Sequence, residues 1–112
     1  NYWLSCLIID KDAMCKQVRG EQKALYISEP GKSCPTEILE AIASINAEGR
    51  PIWKPMHMQP VFAGNDFIQV RDGASVGEMI FEKGLCLPSD VKNTKEDMMK
   101  IISIIKGLFT RR

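Results

Sequence analysis

With 112 residues the chain has room for a single domain, and a domain of this size buries roughly two thirds of the surface its unfolded form exposes, so it needs no disulfide or metal staple. Apolar residues at 45% and charged residues at 26% exclude a disordered, collagenous or coiled-coil chain. A formal net charge of +1 lacks the strongly basic balance of a nucleic-acid module, and Lys100 and Lys106 interrupt the longest apolar stretch before it could cross a bilayer. Neither nucleic acid nor membrane is expected as a partner.

Trp3 to Ile9 is continuously apolar and reads as a strand buried against helices, ending at Asp10. Asn1 to Ile9 carries no basic leader, and the chain starts at asparagine rather than methionine; the expectation is a piece of a longer polypeptide. Lys11 to Lys23 is polar and ambiguous. Ala24 to Ser28 forms a short strand, closed by the turn residues Glu29, Pro30 and Gly31. A helix follows, capped by Ser33 or Thr36, with Pro35 tolerated in its first turn. Ile38, Leu39, Ile42 and Ile45 form its apolar stripe, and Gly49 is its stop.

Ser75 and Glu78 have capping-box spacing ahead of a short helix that Gly84 closes. Leu85 to Leu87 reads as a strand ended by Pro88. Thr94 and Asp97 open the last helix as a reciprocal cap, and Met98, Ile101, Ile102, Ile105, Leu108 and Phe109 line one stripe. Arg111 and Arg112 lie beyond that stripe. Strands alternating with helices predict an α+β fold, a small sheet of about three strands with helices over one face.

Cys6, Cys15, Cys34 and Cys86 are separated by 9, 19 and 52 residues, with no Cys-x-x-Cys pair, and His57 is the only histidine. This spacing is poor material for zinc, so no metal is expected. Cys6 sits in an apolar run, and all four cysteines read as reduced thiols of a cytosolic protein.

Arg50 to Pro60, R-P-I-W-K-P-M-H-M-Q-P, differs from the rest. Three prolines in eleven residues exclude a regular helix or a central strand. A rigid segment that presents an aromatic face, a cation and an imidazole suits the wall of a ligand pocket. Trp53 suits stacking on a sugar or base, Lys54 a phosphate and His57 a polar ligand group. The plainer readings stand beside these: Trp53 as a core or hinge aromatic, Lys54 as a solvated lysine, Met56 and Met58 as gap fillers, His57 as a structural residue.

The same segment, continued through Val61 and Phe62, closely resembles the DegT/DnrJ/EryC1/StrS family of pyridoxal-phosphate-dependent sugar aminotransferases. It is most similar to members that aminate UDP-linked 4-keto-6-deoxy-N-acetylhexosamines, as in bacillosamine-type pathways. Asn1 to Cys6 resembles the entry into the family's small domain, and Gly84 to Ser89 followed by Thr94 resembles its C-terminal ending. Lys11 to Lys32 matches poorly. The resemblance implies that residues 1–112 are the C-terminal small domain of such an enzyme, whose large N-terminal domain carries the cofactor lysine and binds pyridoxal phosphate. It further implies a cytoplasmic homodimer that moves an amino group, usually from glutamate, onto a nucleotide-linked keto-sugar. This chain would hold no catalytic or cofactor-binding residue. His57 would be the first substrate contact, followed by Trp53, Lys54 and Met56; Arg50 is equally well a structural ion-pair partner. Two other functions compete: a stand-alone small-molecule-binding or regulatory domain of the same fold, and a redox or metal protein built on the cysteines.

Overall fold

A computed structural model describes residues 3–19, 24–73 and 75–112. Asn1 and Tyr2, the start of the first family-like stretch, lie outside the described residues, as does the end of the polar 11–23 segment. The first strand, β1 (Cys6–Ile8), is followed by a 3₁₀ turn over Lys11–Ala13 whose start is capped by Asp10. A hairpin then forms from β2 (Gln17–Arg19) and β3 (Ala24–Tyr26). Next come α1 (Pro35–Ala43), the two-residue strand β4 (Arg50–Pro51), α2 (Val76–Lys83), β5 (Gly84–Cys86) and α3 (Lys95–Thr110).

The result is α+β, but the order is not the regular alternation expected. Three strands precede the first helix, and β3 pairs with β2 in a separate hairpin instead of joining the main sheet. That sheet runs β1-β5-β4, all antiparallel, with Leu7 opposite Leu85 and Pro51 also opposite Leu85. Proline can sit in β4 because an edge strand leaves one row of backbone groups unpaired. β5 is the central strand, and all three of its residues are buried.

The core forms where Ile9, Ile38 and Leu85 meet, with Leu7, Leu39, Ile105, Leu108 and Phe109 packed around them. The stripe read on α3 therefore faces the core, although Ile102 at its margin stays 38% exposed. Its cap is the expected one. The Thr94 hydroxyl accepts from the Asp97 N–H, and the Asp97 carboxylate accepts from the Thr94 N–H.

α1 departs from expectation at both ends. Cys34, not Ser33 or Thr36, occupies the N-cap position and makes no side-chain cap. The two hydroxyls are committed elsewhere, Ser33 donating to Glu37 and Thr36 to Gln17. The helix ends at Ala43, and the chain turns through Asn46 at φ 59°, so Ile45 leaves the apolar stripe and is 40% exposed. Gly49 is not the stop. It is required by close packing: a Cβ there would lie 2.7 Å from Leu39 Cδ2 and 2.9 Å from the Cys86 carbonyl oxygen. Gly49→Ala is expected to lower stability by about 1–3 kcal/mol through overpacking. An unchanged urea midpoint would show that β4 can shift away from β5 without penalty.

Candidate functional site

The proline-rich segment leaves β4 and folds into two consecutive 3₁₀ turns, Met56–Met58 and Pro60–Phe62. Pro55 presets the first: its carbonyl accepts from the Met58 N–H, and the Gln59 amide reaches back to the Lys54 carbonyl. These contacts hold the predicted residues in fixed but separate places.

Trp53 is 62% exposed, and its ring stands 5.8 Å from that of Trp3, tilted by 36°. Beside the two rings opens a groove of about 570 Å³, lined also by Arg50, Pro51, Phe81 and Lys54. Trp53 and Lys54 thus share one aromatic-walled groove, and Trp3, read only as the start of a strand, completes it. Met56 is 62% exposed and lies beside the Gln59 amide, away from the groove lining. Arg50 pairs with Glu48 at 2.7 Å on the open surface, where such a pair contributes less than about 1 kcal/mol.

His57 is placed differently again. Its ring stacks on Phe67 at a centroid distance of 3.7 Å and an interplanar angle of 12°. Its Nε2 is 2.7 Å from Glu78 Oε1. Glu78 has the spacing of the reciprocal half of an α2 capping box. Only one half of that box forms, the Ser75 hydroxyl accepting from the Glu78 N–H, because the carboxylate turns to His57 instead. Glu78 accepts at Nε2, and Nδ1 has no hydrogen-bond partner among the described residues. Neither Phe67 nor the His57 bond to Glu78 was visible in sequence spacing; the acid of an apparent capping box was the one available hint.

The cysteines form two neighbouring couples rather than a metal site. Cys6 and Cys86 face each other across β1 and β5 with sulfurs 3.7 Å apart, and all four thiols are free. Burial, reinforced by Cys34, pushes the Cys15 thiol up to about 12, and burial also raises Cys86. Thiols in that state are poor nucleophiles and poor ligands. Among the described residues no cluster of three His, Cys, Asp or Glu is placed to hold a metal, and no helix is long and apolar enough to cross a membrane.

No family model matches the chain. Among curated proteins it is 39% identical over 75 residues to EpsN of Bacillus subtilis (strain 168), which bears the name of a pyridoxal phosphate-dependent aminotransferase. The chain is similar to part of an aminotransferase. The match takes in 67% of this chain but 19% of EpsN, so it spans about a fifth of that relative's length. The relative's cofactor calls for a lysine enclosed in the active site. Every described lysine here is exposed or half-buried, Lys54 on the groove included. The described residues therefore do not build a cradle for pyridoxal phosphate.

Proposed function

We propose that this chain is the C-terminal small domain of a pyridoxal-phosphate-dependent aminotransferase of the DegT/DnrJ/EryC1/StrS type, and that it forms the substrate-side wall for a nucleotide-linked keto-sugar. The observation that carries the reading is the groove that Trp3, Trp53 and Lys54 line together, on a chain similar to part of EpsN. The large N-terminal domain of the same polypeptide would supply the cofactor and its lysine. The complete enzyme would act as a cytoplasmic homodimer, with an amino acid such as glutamate as donor.

In this reading the chain's residues bind and orient. Trp53 offers a flat π face to a base or sugar ring, and stacking of that kind contributes about 1–3 kcal/mol per base. Lys54 brings a hydrated positive charge to a phosphate. His57, held through Nε2 by Glu78, accepts a hydrogen bond at Nδ1 from a sugar hydroxyl, and Phe67 keeps its ring from rotating. Met56, exposed beside the Gln59 amide, reaches the substrate from outside the groove.

The test is His57→Ala in the complete enzyme with a UDP-linked 4-keto-sugar. The expected result is a fall in kcat/KM of about tenfold or more, carried mainly by KM, as for loss of one well-placed hydrogen bond. The visible absorbance of the bound cofactor should not change. An unaltered kcat/KM would remove His57 from the site, and Trp53→Ala then tests the groove separately.

A further inference from the structure

Cys6 on β1 and Cys86 on β5 are direct partners in the antiparallel register, next to Leu7 opposite Leu85. Opposed pairs in such a ladder alternate between hydrogen-bonded and non-hydrogen-bonded, and the flanking bonds show which kind this is. The Leu87 N–H donates to the Ser5 carbonyl at 2.9 Å, and the Ile9 N–H to the Lys83 carbonyl at 3.0 Å. Ser5 with Leu87 and Ile9 with Lys83 are therefore hydrogen-bonded pairs, which makes Cys6 with Cys86 a non-hydrogen-bonded one. In that setting the Cα atoms approach to about 4.5 Å and the side chains stand closest. A disulfide spans Cα separations of about 4.4–6.8 Å, so this backbone admits one without moving apart. The two sulfurs already stand 3.7 Å from each other.

The thiols differ in access. Cys6 is exposed, whereas Cys86 is buried. Burial, reinforced by the contact with Cys6, raises the Cys86 thiol above its ordinary value, so it is not the first to react with a solute. Cys15 and Cys34 are only 2% and 0% exposed, and neither sulfur meets an oxidant in the folded protein. An exposed thiol in front of a buried one lets the first capture an oxidant and the second resolve it.

We propose that Cys6 and Cys86 are a modification site, forming a reversible disulfide by exchange with a low-molecular-weight disulfide such as oxidised glutathione. The Cys6 thiolate attacks one glutathione sulfur, the glutathione S–S bond breaks, and one glutathione leaves as a thiolate. The Cys86 thiolate then attacks Cys6 Sγ, breaking the mixed disulfide and releasing the second glutathione. The two cysteines lose two electrons to glutathione disulfide, and their two protons end on the two glutathione thiols. Contact between the sulfurs offsets the low thiolate fraction of Cys86 in the second step. Cys86 is opposite both Cys6 and Arg50, so the bond fastens the strand that follows Trp3 to the strand on which β4, leading to Trp53, is paired. The site rests on sheet register and does not depend on the aminotransferase reading.

The test uses the complete polypeptide that carries the chain, incubated with glutathione disulfide, blocked with N-ethylmaleimide in denaturant and mapped by mass after trypsin. Lys11, Lys16, Lys32, Lys83 and Lys92 place the four cysteines on four different tryptic peptides. The expected species joins the Cys6 and Cys86 peptides, about 2 Da lighter than their reduced sum. Cys15 and Cys34 should be fully alkylated, and dithiothreitol should reverse the link. Cys86→Ser should stop at glutathione bound to Cys6. The linked protein should unfold at higher urea than the reduced one, because a bond between residues 80 apart constrains the unfolded chain. An inert Cys6, glutathione retained on wild-type Cys6, or Cys6 linked to any other cysteine overturns the site. So does an unchanged urea midpoint, because the strands would then have to separate to make the bond.

Discussion

Glu37→Ala is expected to destabilise the domain by about 3 kcal/mol, the low end for breaking a buried ion pair. Glu37 is 5% exposed and sits on α1 with both oxygens occupied. Oε1 accepts from Arg111 Nη1 at 2.6 Å and from the Ser28 hydroxyl at 2.8 Å; Oε2 accepts from the Ser33 hydroxyl at 2.7 Å and from Arg111 Nη2 at 3.1 Å. Alanine leaves the Ser28 and Ser33 hydroxyls and Arg111 Nη1 without this acceptor at once, while Arg111 Nη2 keeps the Glu29 and Lys32 carbonyls. The loss stays at the low end because the Arg111 side chain is 30% exposed and water recovers part of its charge. The same network sets a pH dependence. Burial pushes the Glu37 carboxyl up, but the bonds from Arg111, Ser33 and Ser28 outweigh it and hold the group below its ordinary value. Its stabilisation is therefore complete above the usual carboxylate range and is lost as the pH falls through the depressed value. Urea midpoints measured between roughly pH 7 and 3 should decline more steeply for the wild type than for Glu37→Gln. Parallel declines would show that Glu37 is not the group responsible.

Ile38→Ala should cost about 2–5 kcal/mol, a large share of the roughly 5–15 kcal/mol that holds a native domain together. Ile38 is fully enclosed by Ile9, Leu85 and the side chains around them, where β1 and β5 meet α1. Truncation there removes transfer energy and leaves a cavity that two strands and a helix cannot close together. Ile102→Ala is the comparison. At 38% exposed it has solvent on one side, so no sealed cavity forms and its midpoint should move much less. Equal shifts for the two variants would mean that the core lies elsewhere.

The prolines of the 50–60 segment make its rigidity plain in the sequence, but not the grouping of its side chains. Trp53 and Lys54 are adjacent in the chain and remain together on the groove, while His57, four residues beyond Trp53, is turned by a 3₁₀ turn toward Glu78 and Phe67. Short loops without a fixed period give no rule for which side each residue faces. The α2 cap failed in an instructive way. Ser75 and Glu78 have the right spacing, yet a histidine 21 positions away competes for the same carboxylate and takes it.

By itself the sequence determined the features that depend on near neighbours: the Thr94–Asp97 cap, the stripe of α3, Pro35 in the first turn of α1, and the existence of β1 and β5, although β1 is three residues with exposed ends and not the buried run from Trp3 to Ile9. A capping bond or a helical face is decided within a few residues, where geometry follows from local backbone preference. Only the tertiary structure decided the rest. Arg111, read as a residue beyond the last helix, meets Glu37 from 74 positions away, and Arg19 meets Phe81 through the bonds of Gln17 to two helices. Gly49 took its meaning from β5 rather than from the helix before it. Such contacts exist only once burial has fixed which elements lie together, and until then each of these residues reads as an ordinary charge, ring or turn.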